Sequence, residues 1–207
     1  MKTIIIKNKI TGETIFKGLY NNDKECIEDA VAKQVNLENT DLRHRNLQCA
    51  NIDSAQLNGA DLRFCNLNLA NISESQLIGA DLRGASLIGT CLAESNLTNT
   101  LMQDASFGAT DIGFSILDGV QFSALSALHL PFTEASSMQE CAFHSVHGQT
   151  FTFSSPPILV QGFFSAPLYM IENTILIGHK PLPVSARDIA NNKGIMLSML
   201  EQRTRKV

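Results

Sequence analysis

Long apolar segments are lacking in this chain of 207 residues. The only apolar run near its start, residues 3 to 6, is far too short for the core of a secretory signal. No segment approaches the roughly 18 apolar residues that a membrane span requires. With an apolar content of 44%, the composition is typical of a soluble globular protein. We therefore expect a cytoplasmic protein that does not bind a membrane.

Paired cysteines are lacking as well. The five cysteines form an odd set in which no two have CxxC spacing: Cys26, Cys49, Cys65, Cys91 and Cys141. Such a set argues against a disulfide framework and against a structural zinc site. We expect free thiols.

The motifs of the common enzyme classes are also absent. The chain contains no Walker loop, GxGxxG, GxSxG, HExxH or protein-kinase signature. This absence favours a protein that is not an enzyme. We predict no catalytic residue and no cofactor.

What the chain does contain is an uninterrupted five-residue period. An apolar residue occupies every fifth position over eighteen units: Leu37, Leu42, Leu47, Ile52, Leu57, Leu62, Leu67, Ile72, Leu77, Leu82, Leu87, Leu92, Leu97, Met102, Phe107, Ile112, Leu117 and Phe122. A small side chain precedes most of these residues by two positions. A period of five fits neither the helical period of 3.6 nor the strand period of 2. It indicates a repeat architecture.

The period predicts a four-sided coil. A chain that buries one large and one small residue in every five, and turns between units, closes a square after four units of about 20 residues in total. Stacked coils would hydrogen-bond like neighbouring strands, so the eighteen units would form a rod about 22 Å long. Five of the seven glycines between Leu37 and Phe122 lie two residues after an apolar position, where a tight turn requires positive φ. After Phe122 the register slips by one residue, and Leu128, Met138 and Phe143 predict about one further coil.

Individual units resemble a known consensus. The segments ANIDS, AQLNG, ADLRF, ANISE and ADLRG are similar to the A(D/N)LXX repeat of the pentapeptide-repeat family. The resemblance spans residues 35–145 and implies an all-β solenoid, the right-handed quadrilateral β-helix. The sequence departs from the consensus at Arg45, which occupies an inward position, at Leu101, which replaces a polar residue, and at the slip after Phe122.

The segments on either side are expected to close the solenoid, because an open end exposes unpaired backbone and apolar side chains. Residues 1–34 predict a cap made of a hairpin over 2–20, with Thr11 and Gly12 at its turn, and a short amphipathic helix over 23–35. Residues 146–207 predict a capping or dimerisation segment. It contains a second hairpin, of 158–163 with 168–177, and a helix over 185–203. Capping is favoured for that helix, and a homodimer stays an alternative.

Acidic residues are concentrated in the repeats. Residues 35–145 carry twelve acidic and four basic side chains, whereas the segments before and after them are net positive. A negative solenoid argues against direct binding of nucleic acid.

Residues one coil apart stack on the same face, so the sequence sorts into four faces. One carries a charge ladder, which we interpret as structural, consisting of Asp41, Asp61, Asp81, Arg43, Arg63 and Arg83. The next, the uncharged face, contains units 46–49, 66–69, 86–89 and 106–109 and projects Leu69 and Ile88 outward, as a protein contact would. The third carries an acidic stripe without a basic residue: Asp53, Glu74, Glu94 and Asp111. The fourth is mostly neutral and polar.

Three functional hypotheses follow. The first is a non-enzymatic scaffold that binds another protein, of unknown identity, through the uncharged face or the ends. The second comes from the family resemblance, since the fluoroquinolone-resistance members look like duplex DNA and bind type II topoisomerases. On this hypothesis the acidic stripe imitates DNA towards such an enzyme. The third is a metal protein using Cys141, His144 and His147, but Cys141 falls at an inward position and ordinary surface histidines are favoured. We therefore predict no metal.

Overall fold

In the computed structural model, the five-residue units form a coiled backbone. The structure describes residues 1–160, 167–172, 174–177 and 180–182. All eighteen apolar positions from Leu37 to Phe122 are buried, each exposing at most 8% of its surface. The small residues two positions earlier are buried as well from Ala50 onwards. The predicted helix over 185–203 and the predicted strand end at residue 163 lie outside the described residues. Within the described part, no helix is long and apolar enough to cross a membrane.

Main-chain bridges define the coil. Residues 20 apart pair in parallel in four separate columns, exemplified by Asp41 with Asp61, Asn46 with Asn66, Asn51 with Asn71, and Gln56 with Gln76. The predicted coil length of 20 residues is therefore confirmed. Most of the ladder consists of such single bridges. Short strands add to it, and β3, Thr40–Asp41, begins the ladder.

Each unit ends in a tight turn with a left-handed residue. In the unit of Leu42, the N–H of Arg45 donates to the Leu42 carbonyl over 3.2 Å, and His44 has a φ of +60°. A positive φ at the third residue is the mark of a type II turn. The five predicted glycine positions all have it, and so do the equivalent residues of the other units from Asn39 to Phe114. Glycine is favoured at this position but not required.

Hydroxyl groups are accommodated inside the solenoid by main-chain partners. The buried Thr90 Oγ1 donates to the Leu67 carbonyl over 2.8 Å, and the buried Ser95 Oγ donates to the Ile72 carbonyl over 2.7 Å. A buried hydroxyl is costly only when it lacks a partner. Serine and threonine can therefore replace the consensus alanine.

A hairpin and a helix contact the first coil. Strand β1, Lys2–Asn8, pairs antiparallel with β2, Thr14–Tyr20, and its other edge pairs with β3. Helix α1, Asp23–Ala32, begins at Asn22, whose side chain accepts from the Glu25 N–H. The Glu28 carboxylate of this helix accepts the N–H of Asn51 over 2.8 Å. In later coils the preceding coil provides that acceptor, so the helix replaces a missing coil.

Arg45 explains the first departure from the repeat consensus. Its guanidinium pairs with the carboxylate of Asp23 at the start of α1 and donates to the Ile5 carbonyl of β1 over 2.9 Å. A charge at an inward position is tolerated here because no coil lies before the first one. The residue joins the hairpin, the helix and the solenoid.

The charge ladder of the sequence forms alternating ion pairs. Each arginine contacts the aspartate of its own unit, and Arg63 also reaches Asp81 of the next coil at 3.5 Å. Hydrogen bonding to Arg43 lowers the pKa of Asp41 below its usual range. Asp61 is only 6% exposed and lies between Arg43 and Arg63. The like charges are neutralised along the column, as a structural ladder requires.

The regular coil ends where aromatic residues enter the interior. Ile116 pairs with Ser137 and Gln121 with Ala142, so this coil has 21 residues. Two 3₁₀ helices, Leu125–His129 and Phe132–Glu134, replace two of its faces. The rings of Phe107, Phe122, Phe132 and Phe153 form a chain of edge-on contacts with centroids 5.8 to 6.0 Å apart. These phenylalanine rings are larger than the Leu and Ile side chains of the earlier coils, and they occur where the coil is one residue longer.

The remaining strands belong to the later coils and the C-terminal segment. Strands β4, Ser86–Ile88, and β6, Ser106–Gly108, pair in parallel on the uncharged face. On the charge-ladder face the parallel strands β5, Leu101–Met102, β7, Gln121–Phe122, and β8, Cys141–His144, are followed by the antiparallel β9, Thr150–Phe153. An antiparallel meander follows, with strands Ile158–Val160, Leu168–Ile171, Thr174–Ile177 and Lys180–Leu182 as β10 to β13.

The meander differs from the predicted second hairpin. Residues 168–177 form two strands, not one arm, because the chain turns at Glu172, whose φ is +48°. Tyr169 of β11 is 1% exposed, and its hydroxyl lies 2.8 Å from Nε2 of His129. This hydrogen bond joins the meander to the first 3₁₀ helix.

The inward and outward positions predict a large contrast between neighbouring leucines. We expect Leu67→Ala, at a fully buried position, to lower the free energy of unfolding by about 2–5 kcal/mol through the lost contacts and the cavity. Leu69→Ala, two residues further in the same coil, should change it by no more than about 0.5 kcal/mol. Urea unfolding followed by circular dichroism measures both. Equal losses would contradict the assigned orientation.

The charge ladder predicts that its middle arginine matters most. Arg63→Met removes a partner of the buried Asp61 and the link to Asp81, so we expect a loss of about 1–3 kcal/mol in unfolding free energy. Arg83→Met is the matched control, because the only ion pair of Arg83 with a described residue is to the more accessible Asp81. Arg83→Met should lower the free energy of unfolding by a smaller amount. An equal or larger loss for Arg83→Met would show that the ladder does not depend on the burial of Asp61.

Candidate functional site

The uncharged face brings its two predicted contact residues together. Leu69 is 60% exposed and Ile88 is 48% exposed, and the Leu69 N–H donates to the Ile88 carbonyl over 2.9 Å. A glycine of the next coil lies beside each side chain. A Cβ on Gly89 would approach Leu69 Cδ2 to 2.6 Å, and one on Gly108 would lie 3.6 Å from Ile88. The Leu69 and Ile88 side chains therefore lie over the glycines of the next coil.

Phe64 extends this surface and was missed by the sequence analysis. It is 56% exposed, and its ring stacks on His44 with centroids 5.1 Å apart and planes within 10°. It holds the same left-handed turn position as Leu69 one unit earlier, so Phe64 and Leu69 lie at the two corners that bound the uncharged face. We name Phe64, Leu69 and Ile88 the apolar patch. A large apolar residue at a turn position was the signal available in the sequence.

An amide beside the patch fixes its backbone. Asn68 Oδ1 accepts from the Ser86 hydroxyl over 2.6 Å and from the Ile88 N–H over 2.9 Å. The side chain thus spans two coils on the uncharged face. The patch is held on a rigid backbone and surrounded by neutral hydrogen-bonding groups.

The four acidic stripe residues lie on one face but not in one column. Glu74 and Glu94 are exposed and occupy the same turn position in adjacent coils, where their N–H groups donate to the following coil over 2.9 and 2.8 Å. Asp111 lies at the other end of its unit, and its Oδ1 accepts from the Gly113 N–H over 2.9 Å. Asp53 is half-buried beside residues 31–35 at the end of helix α1. No ion pair joins any of the four to a described residue.

Glu134 continues the acidic face by one coil. Its carbonyl accepts the Phe114 N–H over 2.8 Å, as the carbonyls of Ala93 and Gly113 accept the N–H groups of Glu74 and Glu94. Glu134 therefore takes the place of Gly113 in the next coil, and the sequence analysis did not include it in the stripe. The coils after the charge ladder contain no Lys or Arg of their own, because none lies between Arg83 and Lys180 in the sequence.

The candidate metal ligands are not brought together. Cys141 and His144 lie three residues apart on β8, so their side chains leave opposite sides of the strand. Cys141 Sγ donates to the Leu117 carbonyl over 3.1 Å, and burial raises the pKa of its thiol to about 12. His144 Nδ1 lies 2.9 Å from Thr150 Oγ1. Among the residues that the structure describes, no group of three His, Cys, Asp or Glu side chains could hold a metal ion.

Comparisons with known proteins agree on the repeat. A family model described as pentapeptide repeats matches residues 26–63 and 65–104 with eight copies. A comparison with curated proteins found no match to this chain.

Solved structures of pentapeptide repeat proteins are similar to part of this chain. One from the thylakoid lumen of Arabidopsis thaliana is 24% identical, covering 41% of this chain and 66% of that one, with a TM-score of 0.20. HetL from the cyanobacterium Nostoc sp. strain PCC 7120, involved in heterocyst differentiation regulation, is 22% identical, covering 50% and 51%, with a TM-score of 0.23. A plasmid-mediated fluoroquinolone resistance protein is 15% identical, covering 49% and 68%, with a TM-score of 0.22.

The chain spans 66% of the length of the Arabidopsis protein and 51% of the length of HetL. The family match, the unbroken five-residue period and the 20-residue coils agree, and they show that residues 26–63 and 65–104 consist of pentapeptide repeats.

Proposed function

We propose that this protein is a non-enzymatic binding module that recognises another protein through the apolar patch of Phe64, Leu69 and Ile88. Its repeats would adopt the right-handed quadrilateral β-helix of the family, with residues 1–34 and 146–207 closing the ends. One observation carries the proposal. Three large apolar side chains, each 48 to 60% exposed, project from neighbouring units of a rigid ladder.

The exposed area gives the patch a modest binding capacity. Complete burial of one Leu, Ile or Phe side chain contributes about 1.5–3 kcal/mol. About half of each patch side chain is already buried, so covering all three contributes about 2–4 kcal/mol. A micromolar complex requires about 8 kcal/mol. Further contacts must therefore come from the polar surroundings of the patch.

The surroundings fit that requirement. Around the patch the uncharged face presents amide and hydroxyl groups, namely Gln48, Asn66, Asn68 and Ser86. An apolar centre with a polar rim is the usual anatomy of a protein interface. Because the ladder fixes the backbone, binding loses little conformational entropy.

Substitutions in the patch should abolish partner binding without unfolding the protein. We expect Leu69→Asn with Ile88→Thr to weaken binding at least tenfold, since the substitutions remove the apolar centre. Asparagine tolerates the left-handed conformation at position 69, where φ is +60°. The matched control is Phe114→Asn with Ile78→Thr, which changes exposed apolar residues at the same unit positions on the other two faces. Capture from native lysate, followed by calorimetry with the captured protein, provides the measurement.

The controls decide the outcome. Equal losses in both double variants, or retained binding in the patch variant, would contradict a specific role for the patch. The oligomeric mass, measured at two concentrations by sedimentation, shows whether the partner is a second copy of this chain. In that case the patch variant should be monomeric.

The acidic face supports a second candidate, a contact with a DNA-binding enzyme such as a type II topoisomerase. The favouring observation is that Glu74 and Glu94 are exposed and unpaired with any described base, on a solenoid that lacks Lys and Arg after Arg83. Together with Glu134 the stripe offers about one charge per coil, or one per roughly 4.8 Å. Duplex DNA carries one per about 1.7 Å. This lower density favours the apolar patch as the main proposal.

The second candidate predicts salt-sensitive binding. Glu74→Gln with Glu94→Gln should weaken the complex with a type II topoisomerase about two- to thirtyfold at low salt, as expected for the loss of two exposed ion pairs. The wild-type affinity should fall as salt is raised. Glu13→Gln with Glu140→Gln removes equal charge elsewhere and is the control. Salt-insensitive binding, or equal effects of the two pairs of substitutions, would eliminate the acidic face.

A further inference from the structure

The uncharged face ends at β6 with an unpaired main-chain donor. In each earlier coil the turn residue on this face donates to the next coil: Cys49 to Asn68 over 2.9 Å, Leu69 to Ile88 over 2.9 Å, and Gly89 to Gly108 over 2.6 Å. Ala109 is the next residue in this column, and it is exposed. Its N–H has no acceptor among the described residues, because the chain that follows forms the 3₁₀ helix Leu125–His129 instead of a strand.

The neighbouring acceptor is also open. The carbonyls of Ala50, Ala70 and Thr90 each accept an N–H from the coil that follows, over 2.8 to 3.0 Å. The donor lies 21 positions after its acceptor in each of these pairs, and the residue 21 positions after Thr110 is Pro131. Proline has no N–H to donate. Within the described chain, the Thr110 carbonyl therefore has no partner either.

A depression of about 650 Å³ lies at this edge. Phe107 and Leu130 contribute its apolar lining, and Pro131 and Ala109 lie along it. A volume of this size is typical of sites that hold small ligands or short peptide segments. The missing strand would have occupied this side of β6.

The charges around the depression have one sign. Asp111 and Glu134 line it, and both are exposed. Among the described residues that line it, none is Lys or Arg. Within the same set the only other titratable side chain is His129, which is hydrogen-bonded to Tyr169. The depression therefore suits a positively charged occupant.

We propose that this edge binds an extended peptide that carries a basic side chain. The peptide adds a short strand beyond β6, with one carbonyl accepting from the Ala109 N–H and one N–H donating to the Thr110 carbonyl. Its basic side chain pairs with Asp111 and Glu134. The site is separate from the apolar patch, so it does not depend on the function proposed above.

The combination of groups selects this class of ligand. An open donor and an open acceptor on one strand edge are what an added strand satisfies. An anion would be repelled by the carboxylates of Asp111 and Glu134. A simple cation would leave the Ala109 N–H without an acceptor. A peptide with a basic residue satisfies all of these groups together.

Peptide titration of the ¹⁵N-labelled full chain tests the proposal. The probes are an acetylated and amidated Val-Lys-Val-Lys-Val peptide, its glutamate counterpart and a backbone N-methylated lysine version. We expect the lysine peptide to shift the amide signals of residues 108–110 and to bind at least tenfold more tightly than either of the others. Asp111→Asn with Glu134→Gln should weaken the lysine peptide at least threefold.

A matched pair of variants locates the site. Ala109→Leu should block the depression, and it is compatible with the fold because Leu69 holds the same turn position with a φ of +60°. Cys49→Leu makes a leucine at the equivalent position of the first coil, away from the depression, and should leave binding unchanged. The signals of the meander residues report whether both variants stay folded.

Four results would overturn the proposal. They are no binding of the lysine peptide at millimolar concentration, equal binding of the N-methylated peptide, undiminished binding by Ala109→Leu, and equally strong binding of spermidine. The last would assign the depression to small polyamines.

Discussion

The parallel main-chain ladder between coils is the interaction on which the rest of the structure depends. It holds a left-handed residue in every unit from Asn39 to Gly119, and most of these residues are not glycine. A non-glycine residue in this conformation costs about 1 kcal/mol. Twelve such residues would cost about as much as the whole stability of a typical domain, about 5–15 kcal/mol. The conformation persists because each unit also gains ladder bonds and two buried side chains.

The ladder also sets the problem that both ends must solve. At the N-terminal end, β1, Glu28 and Arg45 provide the partners that a preceding coil would have offered. At the C-terminal end, β9 completes one face, while the 3₁₀ helices cover others without restoring the strand pattern. Where a strand pairs with the last coil, the main-chain groups of that coil find partners. Beside Ala109 and Thr110 a 3₁₀ helix replaces the strand, and the main-chain groups there stay open among the described residues.

The five-residue period predicted those features that depend only on the regular spacing of the coils. It gave the buried positions, the coil length and the vicinity of Leu69 and Ile88, because a fixed step of 20 residues decides all three. It could not give the position of a side chain across a face, so Phe64 was missed and Asp111 was placed in one stripe with Glu74. Glu134 depends on where the extra residue is inserted. That insertion follows from the packing of aromatic rings in three dimensions, which the period does not contain.

The surfaces that carry the proposals share one part of the rod. Ile88 of the apolar patch lies beside Gly108 of β6, and β6 leads directly to the open edge at Ala109. A protein that added a strand to that edge would therefore lie about two coil spacings, or roughly 10 Å, from Ile88 and about three from Leu69. Leu69 and Ile88 project outward and are not part of the buried core, so their side chains are free to serve recognition. One partner covering both surfaces would bury the apolar patch and form directional main-chain hydrogen bonds with the strand edge. Neither surface alone is large enough for a tight complex.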